Sequence, residues 1–267
     1  MRDPRGLRPP RGGPAAGRRE RALRIWPLSA LPEVVAGDDL GAMLATRARA
    51  EGVVPSDILI VAHKVVSKAE GRIVALADVV PGSQARALAE ETGKSPELCE
   101  LILGESTRIV RRRGATLICE TRHGFVCANA GIDSSNAPEG KVVLLPRDPD
   151  ASARRLQARV ASEVGGRIGV VVIDTHGRPF RRGLVNVAIG VAGFDPILDH
   201  RGERDRSGRI LVATDQALAD ELAAAAGIYL GKASGTPVVV ASGVPTTQAP
   251  GGAHLLVRAP EHDLFRT

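Results

Sequence analysis

The chain has 267 residues, of which 43% are hydrophobic, 25% charged and 2% aromatic. This composition suits a globular protein of one large domain or two small ones and excludes a chain disordered throughout; no run approaches the ~18 apolar residues of a membrane span. The net charge of +6 lies wholly in residues 1–24, which hold eight arginines against two acids, and the remainder is balanced.

Residues 1–24, rich in Arg, Pro and Gly, predict a disordered tail. They lack the apolar core of a secretory signal. The body is neutral and has few rings on which bases could stack, so no nucleic-acid partner is expected. Folding is expected to begin near Ile25. Residues 38–52 carry helical spacing, with Leu40, Met43 and Leu44 on one face and Asp38 as the expected N-cap. Residues 57–62 form an apolar run that predicts a buried strand. Residues 83–93 and 95–105 predict two helices, the second opened by Ser95 as cap and Pro96 at the first helical position. Residues 115–121 and 124–130 predict a strand pair turning at His123 and Gly124, and Val142–Leu145 another strand. A helix over 150–164 should stop at Gly165 and Gly166. Ile168–Ile173, with five β-branched residues, is the strongest predicted strand. A helix over 215–226 and a strand over Pro237–Ala241 close the pattern. Cys99, Cys119 and Cys127 form no CxxC pair and have apolar neighbours, as expected for buried, reduced thiols of a cytoplasmic protein.

Polar residues collect after three of the apolar runs, where sites are favoured. After 57–62 come His63, Lys64, Ser67, Lys68, Glu70 and Arg72. On a helix, Lys64, Lys68 and Arg72 would share a face and could hold phosphate oxygens; the plain alternative is a solvated basic turn. Cys127 leads through Gly131 into Asp133, Ser134, Ser135 and Asn136, either a hard-cation site built on Asp133 or an ordinary Asx turn. Ile173 is followed by Asp174 and Thr175, a carboxylate beside a hydroxyl as used to hold Mg²⁺ against phosphates, or a cap. His176 reads as an acid–base group or a bystander. Arg178, Arg181 and Arg182 then sit in a bent loop and could bind phosphate or carboxylate. Residues 229–237 form a Gly-rich turn that is no Walker A sequence. From these residues alone, metal-assisted chemistry on a phosphorylated ligand is the reading; the reaction class does not follow.

The segments Val65–Arg72, Asn129–Asn136, Asp174–Gly183, Val187–Gly193 and Ala219–Ala223, in this order, resemble the coenzyme F420-0:L-glutamate ligases. The resemblance covers roughly residues 25–244. It implies an α+β, family-specific fold of mixed sheet and helix, of one or two lobes, in an intertwined homodimer. It implies a cytoplasmic, GTP-dependent ligase adding γ-linked L-glutamate to the deazaflavin F420-0 through an acyl phosphate, releasing GDP. Two divalent ions, Mg²⁺ or Mn²⁺, and K⁺ would assist. Asp133 and Asp174 would hold one divalent ion and Thr175 would help hold the second. Asn136, His63, Lys64 and Lys68 would contact GTP. So would Ala30, Leu31, Pro32 and Glu33, and the turn of Leu230, Gly231, Lys232, Ala233, Ser234, Gly235, Thr236 and Pro237. Arg178, Arg181 and Arg182 are the expected catalytic residues, binding phosphate or the glutamate carboxylate. Lys232 stands where archaeal members tend to carry a carboxylate; a lysine there would neutralise phosphate directly. Residues 245–267 resemble the linker that, in actinobacterial bifunctional members, leads to a flavin-binding domain. The competing readings are γ-glutamylation of another cofactor, such as a pterin or folate, and a non-catalytic protein that binds nucleotide or metal.

Overall fold

The computed structural model describes residues 22–135, 137–231, 235–263 and 265. In chain order its elements are β1 (Arg24–Pro27), α1 (Leu40–Ala50), β2 (Ile58–Ala62), α2 (His63–Ala69), β3 (Ile73–Ala75), α3 (Ser83–Thr92), α4 (Pro96–Glu105), β4 (Ser106–Arg113), β5 (Thr116–Thr121) and β6 (Val126–Ala128). Then follow β7 (Lys141–Val143), α5 (Pro149–Val164), β8 (Gly169–Gly177), β9 (Leu184–Ala192), β10 (Leu198–Asp199), β11 (Asp215–Gln216), α6 (Leu218–Ala226) and β12 (Val238–Ser242).

A five-stranded sheet of order β1-β12-β2-β8-β9 forms the centre. Only β2 and β8 pair in parallel, Ile58 opposite Gly169 through Ala62 opposite Ile173. The period of two along each strand sends alternate side chains to opposite faces. Leu59, Val61, Val170 and Val172 pack under α1 and α5, against Leu44, Ala48, Leu156 and Val160. Ile58, Ile60, Val171 and Ile173 pack under α6, against Leu218, Leu222 and Ala226. Because helices cover both faces, β2 and β8 read as continuous apolar runs rather than as alternation. A separate cluster, with Leu88, Cys99, Ile102, Leu117 and Cys119, joins α3 and α4 to the β4-β5-β6 sheet. This mixture of helix and sheet agrees with the expected α+β class.

Local signals fall where expected at several ends. Ser95 caps α4 by accepting from Leu98 N–H, with Pro96 in the first turn, and Gly165 ends α5 in the left-handed region at φ 71°. Others shift. Asp39, not Asp38, caps α1 by accepting from Ala42 N–H; Asp38 instead accepts from Val35 N–H. Residues 215–216 pair with β10, so α6 starts at Leu218 rather than 215. The strand expected over 124–130 shortens to β6, because Asn129 and Ala130 turn through positive φ. The strand expected to end at Ile173 runs on to Gly177, paired with β9, so Asp174 and Thr175 lie in the ladder and not in a loop. Residues 247–257 pack on β9: Asp195 N–H reaches Thr247 O, Gly193 N–H reaches Pro250 O, and Ala253 is fully buried. The expected tail residues 1–21 lie outside the described residues, and Arg24 already belongs to β1.

Candidate nucleotide and cation site

β2 stops at Ala62 while its parallel neighbour β8 continues, and the chain enters α2 directly at His63. A cavity of about 450 Å³ lies at these carboxyl ends, the position at which sheets with parallel strands favour ligands. α2 contributes His63, Lys64 and Lys68; β8 contributes Asp174 and Thr175; Asp133 comes from the segment after β6. The wall also includes Leu31, Pro32, Glu33 and Val34 on one side, Leu230, Gly231, Gly235, Thr236 and Pro237 on another, and Leu184 and Asn186 of β9. Ala30 does not line the cavity; at φ 54° it turns the chain towards the residues that do.

Asp174 is the most enclosed carboxylate of the cavity, its side chain 11% exposed against 35% for Asp133. Nε2 of buried His63 lies 3.2 Å from its Oδ1, and Nε2 of His176 lies 3.3 Å from its Oδ2. Neither contact has the alignment of a hydrogen bond, so both buried nitrogens lack an aligned partner. Thr175 N–H donates to Asp174 Oδ1 at 2.7 Å. Burial opposes ionisation of Asp174, but the two imidazoles outweigh it and hold the carboxyl well below the usual carboxylate range. Cys127 packs close enough to feel that charge: burial first, then Asp174 and Cys119, push its thiol up to about 12, and it is inert as a nucleophile at neutral pH.

At Asp133, burial is again outweighed. Lys64 Nζ lies 2.7 Å from Oδ2, and Ser135 donates its N–H and hydroxyl at 2.6 and 2.8 Å, which holds this carboxyl low. Lys68 pairs with Glu33 at 2.5 Å and ties the 31–34 segment to α2. Arg72 lies beyond the end of α2 and leaves the face shared by Lys64 and Lys68; it donates to Leu145 O and to Glu105.

Asp133, Asp174 and Thr175 offer oxygen donors, as hard divalent cations prefer. Among the described residues no three His, Cys, Asp or Glu side chains converge as a metal cage. Two carboxylates and a hydroxyl instead suit an ion such as Mg²⁺, which completes its shell with water and phosphate oxygens. Arg178, Arg181 and Arg182 stand outside this wall, at the tip of the β8–β9 hairpin. Arg178 donates there to Arg182 O and Gly183 O. Asn136, Lys232, Ala233 and Ser234 lie outside the described residues. Sequence reasoning missed Asn186, which lines the cavity from β9 and accepts a 2.7 Å hydrogen bond from the Thr175 hydroxyl. The signal was its register opposite Thr175, visible only once the hairpin is known.

A family model described as F420-0:Gamma-glutamyl ligase matches residues 29–243. The coenzyme F420:L-glutamate ligase of Methanothermobacter thermautotrophicus is 47% identical over 241 residues, 88% of this chain and 96% of the relative. That of Methanopyrus kandleri is 46% identical over 249 residues, covering 91% and 98%. That of Halobacterium salinarum is 44% identical over 225 residues, covering 82% and 86%. The family-model match spans every residue that lines the cavity, and the chain belongs to the F420-0:γ-glutamyl ligase family.

Proposed function

We propose that this protein is a GTP-dependent ligase that adds L-glutamate to the carboxylate of F420-0 and extends a γ-linked tail. The observation that carries the reading is the convergence of Asp133, Asp174, Thr175, Lys64 and Lys68 on one cavity. Family membership supplies the substrates. An amine does not condense with a carboxylate unaided in water. In the proposed sequence the acceptor carboxylate attacks the γ-phosphorus of GTP and GDP departs. The glutamate amine then attacks the carbonyl of the acyl phosphate, phosphate leaves with the bonding pair, and the amine proton passes to solvent. Lys64 and Lys68 bind phosphate oxygens and balance their charge. Asp133 and Asp174 would hold one divalent ion, Mg²⁺ or Mn²⁺, and Thr175 would help hold a second; such ions would neutralise the phosphate charge that repels the acceptor carboxylate. His63 helps keep Asp174 ionised. A homodimer in the cytoplasm and a K⁺ requirement belong to the same proposal.

The test is mass spectrometry of purified protein with glutamate-free deazaflavin, L-glutamate, GTP, Mg²⁺ or Mn²⁺ and K⁺. The acceptor should gain one or more glutamyl units, with GDP released, and Asp174→Asn should abolish both. A folded protein that binds GTP yet leaves the acceptor mass unchanged would overturn the reading. Light scattering on the same sample should report twice the chain mass.

A further inference from the structure

Asn186 and Thr175 are opposite one another in the β8–β9 ladder, and both side chains reach the cavity. The Thr175 hydroxyl donates to Asn186 Oδ1 over 2.7 Å. A threonine hydroxyl has one proton and two lone pairs. Once the proton is committed to Asn186, the oxygen can present lone pairs elsewhere. An unrestrained hydroxyl would rotate, and an O–H turned towards a cation opposes binding. An amide suits this task because it accepts the bond without adding charge.

The space behind the amide is left open by a glycine. Gly227 follows the end of α6, and a Cβ on it would stand 2.8 Å from Asn186 Nδ2 and 3.0 Å from Ala224 O. The missing side chain therefore leaves room for the Asn186 amide.

We infer that Asn186 is a positioning residue that fixes the Thr175 hydroxyl so that its oxygen faces a divalent cation in the phosphate site. The inference rests on the proposed role of Thr175 as a cation ligand. Outer partners of this kind change metal affinity by about 10–100-fold.

The probe is Mn²⁺ with GDP, free Mn²⁺ being counted by electron paramagnetic resonance in the full chain and its variants. Asn186→Leu keeps the bulk and removes the acceptor; it should weaken Mn²⁺ binding by roughly tenfold or more, with little change in melting temperature. Asn186→Asp keeps the acceptor and should restore most of the affinity. Gly227→Ala, away from the cavity, pushes on the amide and should weaken Mn²⁺ binding in the same direction. Wild-type affinity in Asn186→Leu would overturn this inference alone. Loss in Asn186→Leu that Asn186→Asp fails to restore would mark a packing role and overturn it too. A wild-type protein that binds no Mn²⁺ would overturn the cation reading and this inference with it. Should Asn186→Leu not fold, Gly227→Ala decides: undiminished Mn²⁺ affinity there overturns the inference.

Discussion

The Lys64 ammonium sits 2.7 Å from Oδ2 of Asp133, a carboxylate proposed above to hold a cation. Under that proposal the lysine and the cation would compete for it. Under the proposed function a bound phosphate would give Lys64 another partner and leave Asp133 with the two Ser135 hydrogen bonds. Lys64→Met should therefore tighten Mn²⁺ binding to nucleotide-free protein. It should also weaken GTP binding by roughly ten- to a hundredfold, since one charge-assisted hydrogen bond contributes about 1.5–3 kcal/mol. Titration calorimetry of both ligands checks this; an unchanged Mn²⁺ affinity would show that the lysine does not compete for Asp133.

Two glycines should respond to alanine with opposite signs. A Cβ on Gly190 would lie 2.3 Å from the carbonyl oxygen of Pro149, where β9 meets the start of α5. Backbone cannot yield as a side-chain tip can, so Gly190→Ala should lose about 1–3 kcal/mol or more. Gly104 lies in α4, is exposed, and has nothing within 4 Å of its would-be Cβ. Gly104→Ala should gain up to about 1 kcal/mol from helix propensity. Urea denaturation of both variants tests the pair, and equal midpoints would contradict the packing described.

Asp150 binds the segment that follows the last strand. Its Oδ1 accepts from Val191 N–H at 2.9 Å and Ala253 N–H at 2.7 Å, with His254 Nδ1 3.1 Å from Oδ2. Asp150→Ala would strand two N–H groups and should cost about 2–4 kcal/mol; each unsatisfied buried group costs about 1–3 kcal/mol. Asp150→Asn, which keeps the accepting oxygen, should lose less. Hydrogen exchange at Val191 and Ala253 should rise together in Asp150→Ala, and unaltered protection at both would refute the clamp.

Asp220 should make folding less favourable above its own titration. Burial raises its carboxyl pKa, partly offset by the bond from Ala188 N–H and by His176. With the folded pKa above the unfolded one, ionisation costs more in the native state. That cost is absent below the unfolded value, near ~3.9, grows as pH rises through the folded value, and stays constant above it. Asn keeps the acceptor for Ala188 and removes the charge. Asp220→Asn should melt higher than wild type at pH 7, and the gap should close in acid. A gap independent of pH would exclude the charge as its cause.

Much of this protein was legible in its linear order. The apolar runs of β2 and β8, the Ser95 cap and the Gly165 stop depend on residues within one turn or one strand. Asp133, Asp174 and Thr175 were legible as polar groups following such runs. Tertiary structure decided the rest, because strand pairing is non-local. β4 carries four arginines and no apolar run or alternation that would predict a strand; its partner β5 makes it one. The β8–β9 ladder turned an expected loop into a hairpin. That ladder put Asn186 opposite Thr175, while it carried Arg178, Arg181 and Arg182 out to the tip and off the cavity wall. A hydrogen-bond ladder fixes register between residues distant along the chain, so which side chains share a cavity follows from pairing, whereas which segments are apolar follows from sequence alone.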